Sequence, residues 1–182
     1  MRFTILLFCL CSSLLACKGN TKKTIIATDT VVAKKDTVAK EKFALLDFVV
    51  DEKPCSALIS NKYKAAGNRA GYPISLFVTV NTIEHDKDGQ PSPAENKRFA
   101  VLEDEIVKTM KEIGSVCYVG HTTMPGYRDI IFYIKQKDQQ AVNNTLGKIK
   151  SANSRLIKSY VFENDPKWEA VSEFYKAMAD LH

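Results

Sequence analysis

An α+β domain is the fold class this 182-residue chain predicts, and three observations predict it. Apolar residues alternate or run together in short stretches after residue 43, which is strand behaviour. Two longer stretches carry apolar residues at spacings of three and four, which is helix behaviour. The two kinds interleave as strand, helix, strand, strand, helix, strand, with glycine and proline between them.

Phe43 to Val50 reads as a strand, Asp51-Glu52-Lys53-Pro54 as a polar turn, and Cys55 to Asn61 as a second strand, together a hairpin. Residues 62–72 are polar, hold Gly67 and Gly71, and read as a loop. Ile74 to Ile83 is a strand with Leu76, Val78 and Val80 on one face. Ser92-Pro93-Ala94-Glu95 then combines a capping box with proline at the first helical position. The helix that follows puts Phe99, Leu102, Ile106, Met110 and Ile113 on one side, and Gly114 ends it.

Ser115 to Thr122 and Arg128 to Lys135 are expected as strands joined at Pro125-Gly126, where glycine accepts the positive φ of a type II turn. Asp138 is placed to cap a second helix with Val142, Leu146 and Ile149 inward, and Gly147 allows close packing. Arg155 to Phe162 is a further strand. Asp165-Pro166 opens a third helix, with Trp168, Val171, Tyr175 and Met178 on its apolar side. From residue 74 this is the ferredoxin-like βαββαβ order, an antiparallel sheet with both helices on one face. The hairpin and the last helix are additions at the two ends, and residues 43–182 form a single domain.

The first 42 residues belong to a different class. Arg2 precedes an uncharged apolar run from Phe3 to Leu15, a secretory signal too short to span a membrane with the usual flanks. Leu14-Leu15-Ala16-Cys17 resembles the lipobox of bacterial lipoproteins, with the small Ala16 before the cysteine. That resemblance implies cleavage after residue 16 and acylation (palmitate-type) of Cys17, so that membrane lipid becomes a partner. In bacterial lipoproteins Asp after the cysteine often marks the inner membrane, so Lys18 implies an outer membrane, and the missing acidic run of surface-exported ones implies its periplasmic side.

Residues 17–42 read as a flexible tether, low in complexity and without aromatic residues. A coil of that length spans roughly 25–30 Å. Charge separates it from the domain. The whole chain is +5, residues 18–42 carry +4 and Arg2 another +1, which leaves residues 43–182 neutral. A neutral folded surface argues against a nucleic-acid partner. The tether lysines suit anionic lipid head groups instead.

Motifs for chemistry are few. The histidines are His85, His121 and His182, at no metal-ligand spacing. The loop His85-Asp86-Lys87-Asp88-Gly89 lacks the closing glutamate of a calcium loop. Gly120 and Gly126 do not make a phosphate loop, so no metal or cofactor is expected. Cys55 and Cys117 are the cysteines of the mature domain; an oxidising compartment permits a disulfide between them, and two small buried residues are the other reading.

The densest polar cluster is the hairpin Tyr118 to Tyr133. Arg128 there can bind a carboxylate or phosphate, oriented by Asp129, or the two can pair structurally. His121 can serve acid-base chemistry only beside a nucleophile, carboxylate or metal. Tyr133 shares a face with Asp129 and Ile131, Phe132 with Ile130 and Ile134. The Tyr133 row either binds a ligand or packs the last helix through Trp168. His121, Arg128, Asp129 and Tyr133 are thus the candidate binding residues.

Asp51-Glu52-Lys53-Pro54-Cys55-Ser56, Tyr118-Val119-Gly120, Thr123, Gly126, Arg128-Asp129, Phe132-Tyr133 and Asp165-Pro166-Lys167-Trp168 also carry a likeness. Over about residues 43–178 the chain resembles the bacterial family domain of unknown function 695. That family is distantly similar to the regulator of ribonuclease E activity B, a ferredoxin-like protein-binding inhibitor. The resemblance implies the fold and a leaning toward binding; together with the anchor, the expected partner is an envelope protein or ligand. A lipoprotein outside the cytoplasm does not meet that nuclease. A hydrolase-like enzyme using His121 and Arg128 is the alternative.

Overall fold

The structure is a computed structural model that describes residues 24–28 and 42–179. The signal at 1–16, Cys17, His182 and most of the tether lie outside the described residues. The strands are β1 (Thr24–Thr28), β2 (Phe43–Val50), β3 (Lys53–Ser60), β4 (Ile74–Asn81), β5 (Val116–Met124), β6 (Tyr127–Ile134) and β7 (Ile157–Asn164). The helices are α1 (Pro93–Ile113), α2 (Gln139–Ala152) and α3 (Ser172–Ala179). No helix among the described residues is long and apolar enough to cross a membrane.

The strands form one antiparallel sheet in the order β1-β2-β3-β5-β6-β4-β7. Each helical crossover spans one intervening strand: β6 lies between β4 and β5, and β4 between β6 and β7. The α+β expectation is therefore met. The face of β4 carrying Leu76, Val78 and Val80 and the face of β6 carrying Ile130, Phe132 and Ile134 pack with Phe99, Leu102, Ile106 and Met110 of α1. Val142, Leu146 and Ile149 of α2 join the same cluster. The other face carries Ile131, Tyr133, Cys117 and Val119, and packs against Trp168, Val171, Phe174, Tyr175 and Met178. Alternation along β6 thus feeds two cores at once.

Four local expectations need correction. Thr24–Thr28 of the tether is not coil: it pairs along β2, from Thr24↔Val49 to Thr28↔Leu45, because β2 offers an edge with free ladder positions. Asp138 does not cap α2 with its side chain; a 3-10 turn over Gln136–Asp138 leads into the helix instead. Gly114 ends α1 in an extended conformation. A Cβ there would sit 3.2 Å from Asp138 Oδ2, so close approach rather than a left-handed cap explains the glycine. The last helix is shorter than expected, because a 3-10 turn over Glu169–Val171 precedes Ser172 and Trp168 itself is left-handed, with φ 59°.

Two turns close the hairpins. Asp51 and Glu52 both have positive φ, the pattern of a type I′ turn, and Lys53 and Pro54 already belong to β3. Pro125-Gly126 joins β5 to β6 with Gly126 at φ 86°, as the type II turn requires. The loop after β4 seats on that tip: Gly126 N–H donates to Gly89 O at 2.8 Å and Thr82 N–H to Gly126 O at 2.9 Å.

Candidate functional site

The sheet continues past β6 through β5, β3 and β2, and neither β2 nor β3 contributes to the cluster under α1 and α2. A cleft of about 410 Å³ opens there. Leu45, Leu58 and Pro91 make its apolar lining, and Ser56, Gln90, Asn96, His121, Thr123 and Arg128 its polar lining.

A bulge in β5 creates the arrangement. In a regular strand Tyr118 and His121 would face opposite sides of the sheet. Here the pairing runs Tyr118↔Phe132, then Gly120↔Ile131 and His121↔Ile130, with one extra residue on β5. The shift turns His121 to the same face as Tyr118. Gly120 makes the bulge feasible, with φ 135°; a Cβ on it would lie 1.8 Å from the Leu58 carbonyl oxygen. No side chain fits that space.

The centre of the site is Glu103 of α1, only 7% exposed. His121 Nδ1 lies 2.9 Å from Glu103 Oε1. The Tyr118 hydroxyl donates to the same oxygen. Arg128 Nη1 stands 3.5 Å from Glu103 Oε2. Burial pushes the Glu103 carboxyl up, but the bonds from His121 and Tyr118 and the Arg128 charge outweigh it and hold the group below its ordinary range. Burial, then the Glu103 charge, pushes Tyr118 far up, so its phenol stays a donor. Burial draws Arg128 down, opposed by Glu103. A carboxylate only accepts, so Nδ1 of His121 carries the proton toward Glu103, and among the described residues Nε2 has no hydrogen-bond partner.

Arg128 is fixed on every side. Its Nε donates to Thr123 Oγ1 at 3.2 Å, directly across the β5–β6 pair. Its Nη2 donates to Asn96 Oδ1 at 3.0 Å, and the guanidinium lies 4.6 Å over the Phe99 ring. Ser92 accepts from Glu95 N–H at 3.1 Å, so the start of α1 is pinned beside the cleft. The return half of the expected capping box is absent: Glu95 Oε1 accepts from Ile83 N–H at 2.9 Å instead.

The structure brings together two of the four residues expected to bind. His121 and Arg128 share the cleft. Asp129 does not orient Arg128, because neighbours along a strand point to opposite faces. It accepts from Thr79 Oγ1 at 2.7 Å on the other side of the sheet, and burial raises its carboxyl. Tyr133 is fully buried, stacked on Trp168 at 3.8 Å with a 10° interplanar angle, and its hydroxyl donates to Asp165 Oδ2 at 2.5 Å. It packs the last helix and is closed to a ligand. Cys55 and Cys117 are both buried and not bridged. The β3–β5 register puts residue 124 across from Cys55, seven positions from Cys117 and about 23 Å along the strand, far beyond disulfide reach.

Glu103 escaped notice in the sequence, although the signal was there. It lies four residues after Phe99 and three before Ile106, inside the apolar stripe of α1. A lone carboxylate on that stripe must find partners on the sheet beneath. Among the described residues no group of three or more His, Cys, Asp or Glu side chains is placed to hold a metal.

A model of the family of unknown function DUF695 matches residues 45–175. The chain belongs to this family. The DUF695 match spans both walls of the cleft, from Leu45 through Asn96 and Glu103 to Arg128, and continues through Trp168. No curated protein and no solved structure matches the chain.

Proposed function

We propose that this is a membrane-anchored envelope lipoprotein, held by acylated Cys17 on the periplasmic side of an outer membrane. Its DUF695 domain is a non-enzymatic module that binds a protein or small ligand in the cleft around His121. The supporting observation is that Arg128 and Glu103 spend their polar reach inside the fold, on Thr123, Asn96, Tyr118 and His121. They build a rigid wall rather than a reactive group. What faces an incoming partner is His121 Nε2, the Ser56 hydroxyl and the apolar Leu45 and Leu58, a mixture suited to a docked chain or small polar molecule.

The test places a photo-crosslinking residue at Ser56 in the natural host. Envelope adducts are expected at Ser56, to be lost on Leu58→Arg or His121→Ala, and absent when the probe sits at exposed Lys108. Adducts insensitive to both cleft variants sink the reading. For the anchor, Cys17→Ser is expected to abolish palmitate incorporation and release the protein from membranes.

One observation favours a hydrolase-like second reading. Glu103 orients His121 through Nδ1 as a base is oriented in acyl transfer. The register also sets Ser56 diagonally across from His121. Ester hydrolysis by the purified domain that disappears in both Ser56→Ala and His121→Gln would establish it in place of the binding role.

A further inference from the structure

The opposite face of the sheet holds a second cleft, of about 430 Å³, between the loop Ala66 to Pro73 and the Pro166-Lys167-Trp168 turn. Its cation is Arg69, half-buried in the wall. Arg69 Nε donates to Tyr63 O at 2.7 Å and Nη2 to Lys64 O at 3.2 Å. The guanidinium lies 4.3 Å over the Tyr175 ring and 5.6 Å over that of Trp168. Two carbonyls and two rings therefore fix its plane, yet among the described residues two of its five N–H donors are used. Among the described residues no carboxylate comes within ion-pair distance of it. Arg128 in the first cleft is different, because Glu103 faces it.

A second cation, Lys167, lines the same cleft. Lys167 is 79% exposed at its side chain and, among the described residues, pairs with Glu169 at 3.8 Å. Lys135 adds a third positive charge near the rim, 5.4 Å over the Tyr72 ring. The apolar lining is flat: Tyr72, Pro73 and Pro166. Gly71 lines the cleft, and a Cβ built on it would meet nothing within 4 Å.

The turn bearing Lys167 is held against a backbone penalty. Trp168 has φ 59°, a left-handed conformation that a bulky side chain rarely adopts. Here the Tyr133 stack and a bond from Trp168 Nε1–H to Tyr72 O at 3.0 Å retain it. Pro166 and Lys167, just before Trp168, line the same cleft as Arg69.

We propose that this cleft binds a small organic carboxylate with a flat apolar body. The carboxylate sits between Arg69 and Lys167, and the body lies along Tyr72, Pro73 and Pro166. Arginine suits a carboxylate because its planar fork matches the two oxygens. The walls argue for more than a bare anion. This site is separate from the His121 cleft and does not depend on the function proposed for it.

Trp168 is the sole tryptophan of the chain, so its fluorescence reports from the cleft floor. The probe is benzoate, with acetate, inorganic phosphate and benzyl alcohol as comparisons. Benzoate is expected to give a saturable change in emission, and the other three a much weaker one. Lys167→Glu, at an exposed position that leaves the fold intact, is expected to weaken benzoate about tenfold or more, the loss of one charge-assisted contact. Arg69→Lys, checked for native circular dichroism, is expected to weaken it as well, and His121→Ala to leave it unchanged. A benzoate response that is absent, that survives Lys167→Glu, or that benzyl alcohol or phosphate reproduces would overturn the proposal.

Discussion

Two tyrosine–carboxylate pairs lie on opposite faces of the sheet, and they do different work. On the cleft side Tyr118 donates to Glu103; on the far side Tyr133 donates to Asp165. Both carboxyls are held below their ordinary range, against the upward push of burial. Glu103 achieves this with side chains from β5 and β6, His121, Tyr118 and Arg128. Asp165 relies on the Tyr133 hydroxyl and on backbone: Glu169 N–H and Ala170 N–H donate to it at 2.8 and 3.0 Å. The same chemical pair thus ties three elements together at a cleft in one place and caps a turn in the other. A carboxylate served by amides is a device of the local chain. One served by side chains from distant strands exists only once the sheet has formed.

The largest expected effect separates the two. Glu103→Gln leaves Arg128 buried with no carboxylate, so it should cost about 3 kcal/mol or more, since breaking a buried pair strands a charge. Adding Arg128→Met to that variant should recover part of the loss. Urea denaturation followed by circular dichroism measures both, and a Glu103→Gln cost under about 1 kcal/mol would show that the network does not hold the site.

Asp165→Asn should cost less, on the order of 1 kcal/mol, the typical loss of a cap. Acid sharpens the contrast. A carboxylate whose folded pKa is depressed adds stability above its unfolded pKa and loses it as pH falls through the folded value. Glu103 and Asp165 should therefore both make the protein lose stability below about pH 4.5, near the ordinary carboxylate values. Each variant should flatten its share of that fall, and a slope unchanged in Glu103→Gln would contradict the depressed carboxyl.

This difference also explains what the sequence could tell. Elements set by local chemistry were legible: the alternation of β4, the start of α1 at Ser92, the turn at Pro125-Gly126, and the two helical faces. Tyr133 meeting Trp168 was legible from alternation. Features set by long-range geometry were not. The bulge that re-aims His121 depends on Gly120 passing the Leu58 carbonyl, a contact between strands 62 positions apart. The pairing of Arg128 with Asp129 was read from adjacency, when the period of two already placed them on opposite faces. The strand at Thr24–Thr28 was hidden by the low complexity around it, because its pairing depends on β2 and not on its own composition.

The smallest expected effect tests the other direction of the same rule. Among the described residues Asp129 accepts from the Thr79 hydroxyl; burial raises its carboxyl, and that bond and the Lys158 charge offset only part of the rise. An acid with a raised folded pKa binds its proton more tightly when folded, so its ionisation opposes folding as pH climbs above the unfolded value. Asp129→Asn keeps an oxygen for Thr79 and removes the charge. Its stability at neutral pH should stay within about 0.5 kcal/mol of the natural protein. Relative to that protein it should gain as pH rises from about 4 to 6, the reverse of Glu103→Gln, which loses over the same range. The two variants measured in parallel by urea denaturation therefore differ in sign as well as size. A relative loss for Asp129→Asn on raising the pH would mean that its carboxylate is stabilised after all, by a partner on the Thr79 face.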